Sequence, residues 1–246
     1  AKHVQARDGN NDGVCRVVLD VSSATGDTAS ASILRKELAS VDVCFHLCAY
    51  GMSGSAMLDE GGCDRINVGG VRNVCEALRS DVRFVYCSTY NTVFGGQEIR
   101  DGREEDLAYF PEELHTDAYS RSKGRAEQLV LAMRKDTACA LRLAAVYGEG
   151  ERRHLERIAT IMRLGLYQFS IGTEDTLVDW VHVDDVVAAH MLAGAALLRE
   201  IAGERLQARV AGRAFSISSG VPINQFEFLQ PLAHRLGCYV PKWRQL

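Results

Sequence analysis

The stretch Asp117-Ala118-Tyr119-Ser120-Arg121-Ser122-Lys123 stands where a long polar segment gives way to an apolar repeat. Asp117 suits the N-cap of a helix, and Ala126, Leu129, Val130 and Met133 continue it at helical spacing. On such a helix a Tyr and a Lys four residues apart lie one turn apart on the same face. A phenol with an ordinary pKa of about 10 is a poor base at neutral pH, and an ammonium held beside it favours the phenolate. A Tyr-x-x-x-Lys pair occurs by chance in many chains of this length, so its weight comes from what surrounds it.

Working outward, residues 82–89 read as a buried strand feeding into this helix through a polar loop, 95–116, that carries Gly95, Gly96, Gly102 and Pro111. Upstream, Ile66, Val68, Val71, Val74, Cys75 and Leu78 repeat at helical spacing and predict a crossover helix near 64–79. Residues 41–49 are apolar nearly throughout, the pattern of a parallel strand covered on both faces. A helix over 30–40 and a short strand over 15–21, ending in Asp20, precede them, and 1–13 reads as a poorly ordered lead-in. Downstream, the patterning predicts a strand over 138–146, a helix over 154–165, a short strand over 177–183, a helix from Asp184 or Asp185 through Leu198, a strand over 215–218 and a last helix over 224–236. Strands alternating with helices at these spacings give an α/β fold, a doubly wound parallel sheet of Rossmann type. The expected organisation is the lead-in 1–13, a partial dinucleotide-binding region 14–150, and a mixed substrate-binding region 151–246 that includes helices returning to the core.

Composition narrows the function classes. Of 246 residues 47% are hydrophobic and 24% charged, and the net charge is -4, with no basic patch to bind nucleic acid. The eight cysteines form no Cys-x-x-Cys and fall mostly within apolar runs, as reduced thiols in a reducing compartment do. No apolar run approaches the roughly 18 residues of a membrane span, and no signal-peptide pattern opens the sequence. Eight residues separate His182 from His190, poor spacing for a metal on one helical turn, and no metal site is expected.

Four features fall at the carboxyl ends of successive strands, where open α/β sheets bind ligands: Asp20, then His46 to Ala49, then Ser88-Thr89, then Tyr147-Gly148. In these four features the chain resembles a short-chain dehydrogenase/reductase of the extended branch, most nearly the 3β-hydroxysteroid dehydrogenase/isomerase-like group and its family 42E members. The likeness runs from about residue 14 to 242. It is carried by Phe45-His46-Leu47-Cys48-Ala49-Tyr50-Gly51-Met52-Ser53-Gly54, Asn67-Val68-Gly69-Gly70-Val71-Arg72-Asn73-Val74, Val85-Tyr86-Cys87-Ser88-Thr89-Tyr90-Asn91, Tyr119-Ser120-Arg121-Ser122-Lys123, Leu141-Arg142, Val146-Tyr147-Gly148-Glu149-Gly150 and Val181-His182-Val183-Asp184-Asp185.

The resemblance implies that Tyr119 is the general acid/base on the alcohol or carbonyl oxygen. Lys123 lowers its pKa and hydrogen-bonds the nicotinamide ribose. Thr89 steadies the substrate oxygen, with Ser88 the alternative at the neighbouring register. Asp20 is implied to meet the adenine or its ribose, although a plain N-cap role also fits it. His46, Leu47, Cys48 and Ala49, with Val146, are implied to lie against the dinucleotide, NAD or NADP. Asn67 reads as a brace for the central helix. The implied substrate is a small apolar, sterol-like alcohol, and double-bond isomerisation accompanies the oxidation in part of the group. The family forms homodimers through the helices bearing Asn67 and Tyr119. Some relatives carry a membrane-spanning tail, so the resemblance implies the cytoplasmic side of an intracellular membrane, with membrane association only through segments outside this sequence.

Two departures stand out. The family has Pro where this chain has Leu143, so the strand-end kink beside the nicotinamide is expected to differ. No Gly-x-x-Gly-x-x-Gly or Gly-x-Gly-x-x-Gly occurs, although a pyrophosphate needs close backbone approach at a helix N-terminus. Counting elements places the start of the chain at the third strand of the fold, an N-terminally incomplete form whose sheet has a gap between 15–21 and 41–49. The rival readings are an extended-branch sugar-nucleotide epimerase or dehydratase, using Arg152, Arg153, Arg157 and Arg163 for a second phosphate, and a non-catalytic protein of the dinucleotide fold.

Overall fold

The structure is a computed structural model that describes residues 4–6, 16–26, 28–152, 154–167, 176–204 and 208–238. In chain order it runs β1 (Val4–Ala6), β2 (Arg16–Val18), α1 (Ala29–Leu38), β3 (Val43–His46), α2 (Glu60–Cys63), a π-helical stretch Asp64–Gly69, α3 (Gly70–Ala77), β4 (Arg83–Thr89), α4 (Ala118–Met133), β5 (Ala138–Leu143) and β6 (Ala145–Tyr147). There follow α5 (Leu155–Arg163), β7 (Leu177–Val178), β8 (Trp180–His182), α6 (Val183–Ile201), β9 (Ala214–Ile217), β10 (Ile223–Asn224) and α7 (Gln225–Arg235).

The central sheet has the order β3-β4-β5-β9. β3 and β4 run parallel, with His46 opposite Tyr86, so two strand ends open side by side. Pleating sends alternate residues to opposite faces. Phe84 and Tyr86 of β4 and Ala138 and Ala140 of β5 meet Ala31 and Leu34 of α1, Val71, Val74 and Cys75 of α3, and Ala126 and Val130 of α4 in one buried cluster. On β3, Phe45 and Val43 point the other way: a Cβ added at Gly194 of α6 would lie 3.0 Å from Phe45. Helices therefore cover both faces, as the patterning predicts for a doubly wound fold.

Among the described strands the expected separation of 15–21 from 41–49 holds. β2 pairs antiparallel with β1 (Val4 opposite Val18) and β3 pairs with β4, so β2 and β3 are not neighbours among the described strands. Val4–Ala6 is thus a strand inside the stretch expected to be poorly ordered; the rest of 1–13 lies outside the described residues. The open side corrects the reading of 41–49 as covered on both faces. The strand is shorter, Val43–His46, Phe45 within it is 37% exposed, and among the described strands β3 is the edge of the sheet. Residues 138–146 likewise form two strands. The chain leaves the central sheet after Ala144, whose N–H still bonds the Ile217 carbonyl of β9, while Ala145 donates instead to the Asp179 carbonyl beside β8. The strand-end break expected to change with Leu143 in place of proline is made without one, by these switched partners.

The chain divides into two compact units, residues 1–141 with 192–215, and residues 142–191 with 216–246. In the second, β6 pairs parallel with β8, Val146 facing Val181, and Met162, Leu229 and Ala233 form a small core. Trp180 stacks on Phe228 at 3.9 Å, with Tyr147 edge-on to both.

Candidate active site

Asp117 caps α4 through its carboxylate, which accepts from Ser120 N–H at 2.7 Å. This cap fixes where the helix starts and so which residues occupy its first inward turn. Tyr119 and Lys123 follow one turn apart, 6% and 2% exposed. Tyr119 packs with Cys63, Ala118 and the loop after β3, namely Ala49, Tyr50 and Met52. Gly51 lets that loop pass: its φ is +87°, and a Cβ would come 2.9 Å from the Ala56 carbonyl.

Lys123 reaches under the sheet end. Its Nζ donates to the Cys87 carbonyl at 2.7 Å and lies 4.1 Å from the centre of the Tyr86 ring, a cation–π contact. Burial pushes its pKa down to about 8, against the attraction of Cys87, Glu127 and Cys48. An ammonium has three donors, and the described residues account for one, which leaves it able to reach a diol.

Pleating separates the two candidate hydroxyls of β4. Ser88, 4% exposed, shares the face of Phe84 and Tyr86, and its hydroxyl donates to the fully buried Glu127. Thr89 is half-buried on the opposite face, and its oxygen accepts a long bond from Asn91 N–H at 3.4 Å. A hydroxyl that accepts keeps its proton to donate, so the Thr89 hydroxyl retains a donor, while that of Ser88 is committed to a carboxylate. Asn91 ties this turn to the Tyr119 helix by donating to Ser120 Oγ at 3.0 Å.

Asn67 acts as a brace. Its amide bonds both the N–H (2.7 Å) and carbonyl (2.9 Å) of Tyr50 and donates to Ser122 Oγ at 2.8 Å, joining the loop after β3 to α4. It sits in the π-helical stretch, an irregularity that turns a helical side chain toward a site.

His46 is 6% exposed and stacks on Tyr86 at 5.9 Å; burial, then the nearby Lys123 charge, pushes it down to about 4, so it is a neutral imidazole. Beyond it Leu47 and Cys48 are exposed and Ala49 is half-buried against Tyr119. Asp20 caps the short turn Val21–Ser23 by accepting from Ser22 N–H (2.9 Å) and Oγ (2.7 Å), which holds its carboxyl below the usual range. Val146 lies in the other compact unit. No group of His, Cys, Asp or Glu among the described residues could hold a metal ion, and the seven described cysteines are free thiols.

Sequence reasoning missed Tyr86, which forms the floor under Lys123, and Glu127 and Tyr109, which bond each other at 2.9 Å. The signal for Glu127 was present: an acid one turn beyond Lys123 on the inward face of α4.

Fold and site together define a Rossmann-type protein of the extended short-chain dehydrogenase/reductase class. A sequence profile of the 3-beta hydroxysteroid dehydrogenase/isomerase family matches residues 7–246, and the chain belongs to that family. Short-chain dehydrogenase/reductase family 42E member 1 of Danio rerio is 45% identical over 211 residues, 81% of this chain and 53% of its own length. The Homo sapiens protein of the same name is 39% identical over 260 residues, 96% of this chain and 64% of its own. The chain thus spans between about half and two thirds of these curated relatives. Among solved structures, the UDP-glucose 4-epimerase of Thermus thermophilus in complex with NAD superposes with a TM-score of 0.65 at 20% identity, over 90% of this chain and 69% of that one, a likeness of fold.

Proposed function

We propose that the chain carries the catalytic site of an NAD(P)-dependent oxidoreductase of the 3β-hydroxysteroid dehydrogenase-like type, which oxidises a secondary alcohol of a sterol-like substrate. The observation that carries this reading is the burial of Tyr119 and Lys123 on one face of α4, at the ends of β3 and β4, with Thr89 presenting a hydroxyl from the strand end. The residues fit a nicotinamide ribose: Lys123 has donors to spare, and the neutral His46 adds no competing charge.

The dinucleotide, when bound, supplies the hydride acceptor. Tyr119 takes the proton of the substrate hydroxyl as the carbon is oxidised. The Lys123 ammonium stabilises negative charge on the Tyr119 oxygen and orients the ribose, and Thr89 donates to the substrate oxygen while charge develops there. Asp20, His46, Leu47, Cys48 and Ala49 are proposed to line the dinucleotide, and double-bond isomerisation to accompany oxidation in the same protein.

Binding of NADH and NADPH followed by fluorescence, with turnover of a 3β-hydroxysterol, tests the reading in the full gene product. Thr89→Val is expected to lower turnover about 100-fold while leaving dinucleotide binding intact. Absence of dinucleotide binding would favour a non-catalytic protein of this fold. Turnover of a sugar nucleotide and not of a sterol would favour the epimerase branch.

A further inference from the structure

Tyr119 and Lys123 are the first two members of a longer stripe. Glu127 lies one further turn along α4 and is fully buried, which is rare for a carboxylate without partners. Ser88 donates to one of its oxygens and Tyr109 to the other, at 2.9 Å in the second case. Ser88 belongs to the strand end next to Thr89, and Tyr109 to the polar loop between β4 and α4. Three segments that meet at the active site are therefore pinned to one buried side chain.

The same carboxylate faces Lys123 from its own helix. The titratable groups around the ammonium are Tyr119 and Glu127 on α4, Tyr86 and Cys87 on β4, and His46 and Cys48 at the end of β3. Burial makes His46 a neutral imidazole and pushes the Tyr86 hydroxyl and the Cys87 thiol up, so neither of these carries charge at neutral pH. Among the described neighbours Glu127 is the one carboxylate. Residues at i and i+4 on a helix have Cβ atoms about 5–6 Å apart, close enough for an unscreened buried charge to act.

We propose that Glu127 is a positioning residue of the active site: its buried carboxylate fixes the strand end and the loop through Ser88 and Tyr109, and supplies the negative charge that keeps Lys123 an ammonium. The proposal rests on the dehydrogenase reading for its functional meaning, but its physical content is independent of turnover. Without Glu127 the buried Lys123 would lose its proton more readily, and the charge that stabilises an anionic Tyr119 oxygen would go with it.

The chain has five lysines, so 13C-lysine labelling resolves the Lys123 Cε signal and its titration. Glu127→Gln, which keeps the shape and removes the charge, is expected to lower the Lys123 midpoint by about one pH unit, and Glu127→Asp to restore part of it. Should the glutamine variant fail to fold, Glu127→Asp gives a second measurement: a carboxylate withdrawn by one methylene is expected to lower the Lys123 midpoint by a fraction of a unit. A Lys123 midpoint in Glu127→Gln within about 0.3 unit of the wild type or, where only Glu127→Asp folds, a midpoint unmoved there, would overturn the proposal, because a purely structural role changes stability and leaves the Lys123 midpoint alone. A shifted midpoint in a protein that binds no dinucleotide would uphold the electrostatic coupling and sink the dehydrogenase reading instead.

Discussion

Replacing Lys123 by Met is expected to stabilise the protein at neutral pH, and the gain is expected to fade in alkali. Burial lowers the Lys123 pKa from 10.5 to about 8. Each unit corresponds to about 1.4 kcal/mol, so the folded state carries a penalty of about 3 kcal/mol for holding the ammonium wherever both states are protonated. The unfolded chain binds the additional proton between the two pKa values, so stability rises with pH from about 8 and the penalty is gone above about 10.5. Methionine has a similar length and no charge to desolvate. Some of its gain is offset by the Cys87 carbonyl left without its donor and by the lost contact with Tyr86, about 1–3 kcal/mol together. That offset is independent of pH, so the diagnostic quantity is the change with pH. Urea unfolding of wild type and variant at pH 7.5 and 9.5 should show the difference between them moving by about 2 kcal/mol in favour of the wild type. The comparison cancels the buried thiols Cys44, Cys75 and Cys139, which titrate in both proteins. A difference that stays constant between those two pH values would refute the claim that Lys123 is a buried, charged group.

Three further outcomes follow from the same geometry. Asp117→Ala removes the cap on α4 and should cost about 1 kcal/mol in urea unfolding, with faster amide exchange at Ser120. Asn67→Ala deletes three bonds that join the loop after β3 to α4, and a loss of about 2–3 kcal/mol is expected, since the Tyr50 backbone groups lose their partner. His46 has a folded pKa of about 4 against 6.5, so its neutral burial stabilises the protein above pH 6.5 and that contribution drains away as pH falls toward 4. His46→Gln should flatten the acid limb of a thermal-stability profile over that range; an unchanged limb would show that other groups govern it.

The alternation of helices and strands was legible because each apolar run had its own period, and the start of α4 was legible because Asp117 is a capping side chain at the end of the polar loop. The gap beside β3 could be counted from the elements. Its consequence for β3 could not, since a uniformly apolar run such as 41–49 does not say which of its faces is open. The switch of sheets after Ala144 left no mark, as neither glycine nor proline stands there and the break is made by a partner distant in sequence, Asp179, which takes the Ala145 N–H. Tyr119, Lys123, Ser88 and Thr89 could be named from motif and strand-end position. Telling the surroundings of the two hydroxyls apart needed the pleat, which turns Ser88 toward Glu127 and Thr89 to the other face. Tyr86 and Glu127 were hidden among residues that serve equally well as strand and helix core.

The central claim is that Tyr119, supported by Lys123, transfers the proton in a dinucleotide-dependent oxidation. Sterol-dependent formation of NADH or NADPH by the full gene product, wild type beside Tyr119→Phe, tests it most directly. The account predicts turnover by the wild type and a loss of about 100-fold or more in the variant, with dinucleotide affinity unchanged. Equal turnover by the two proteins would contradict it.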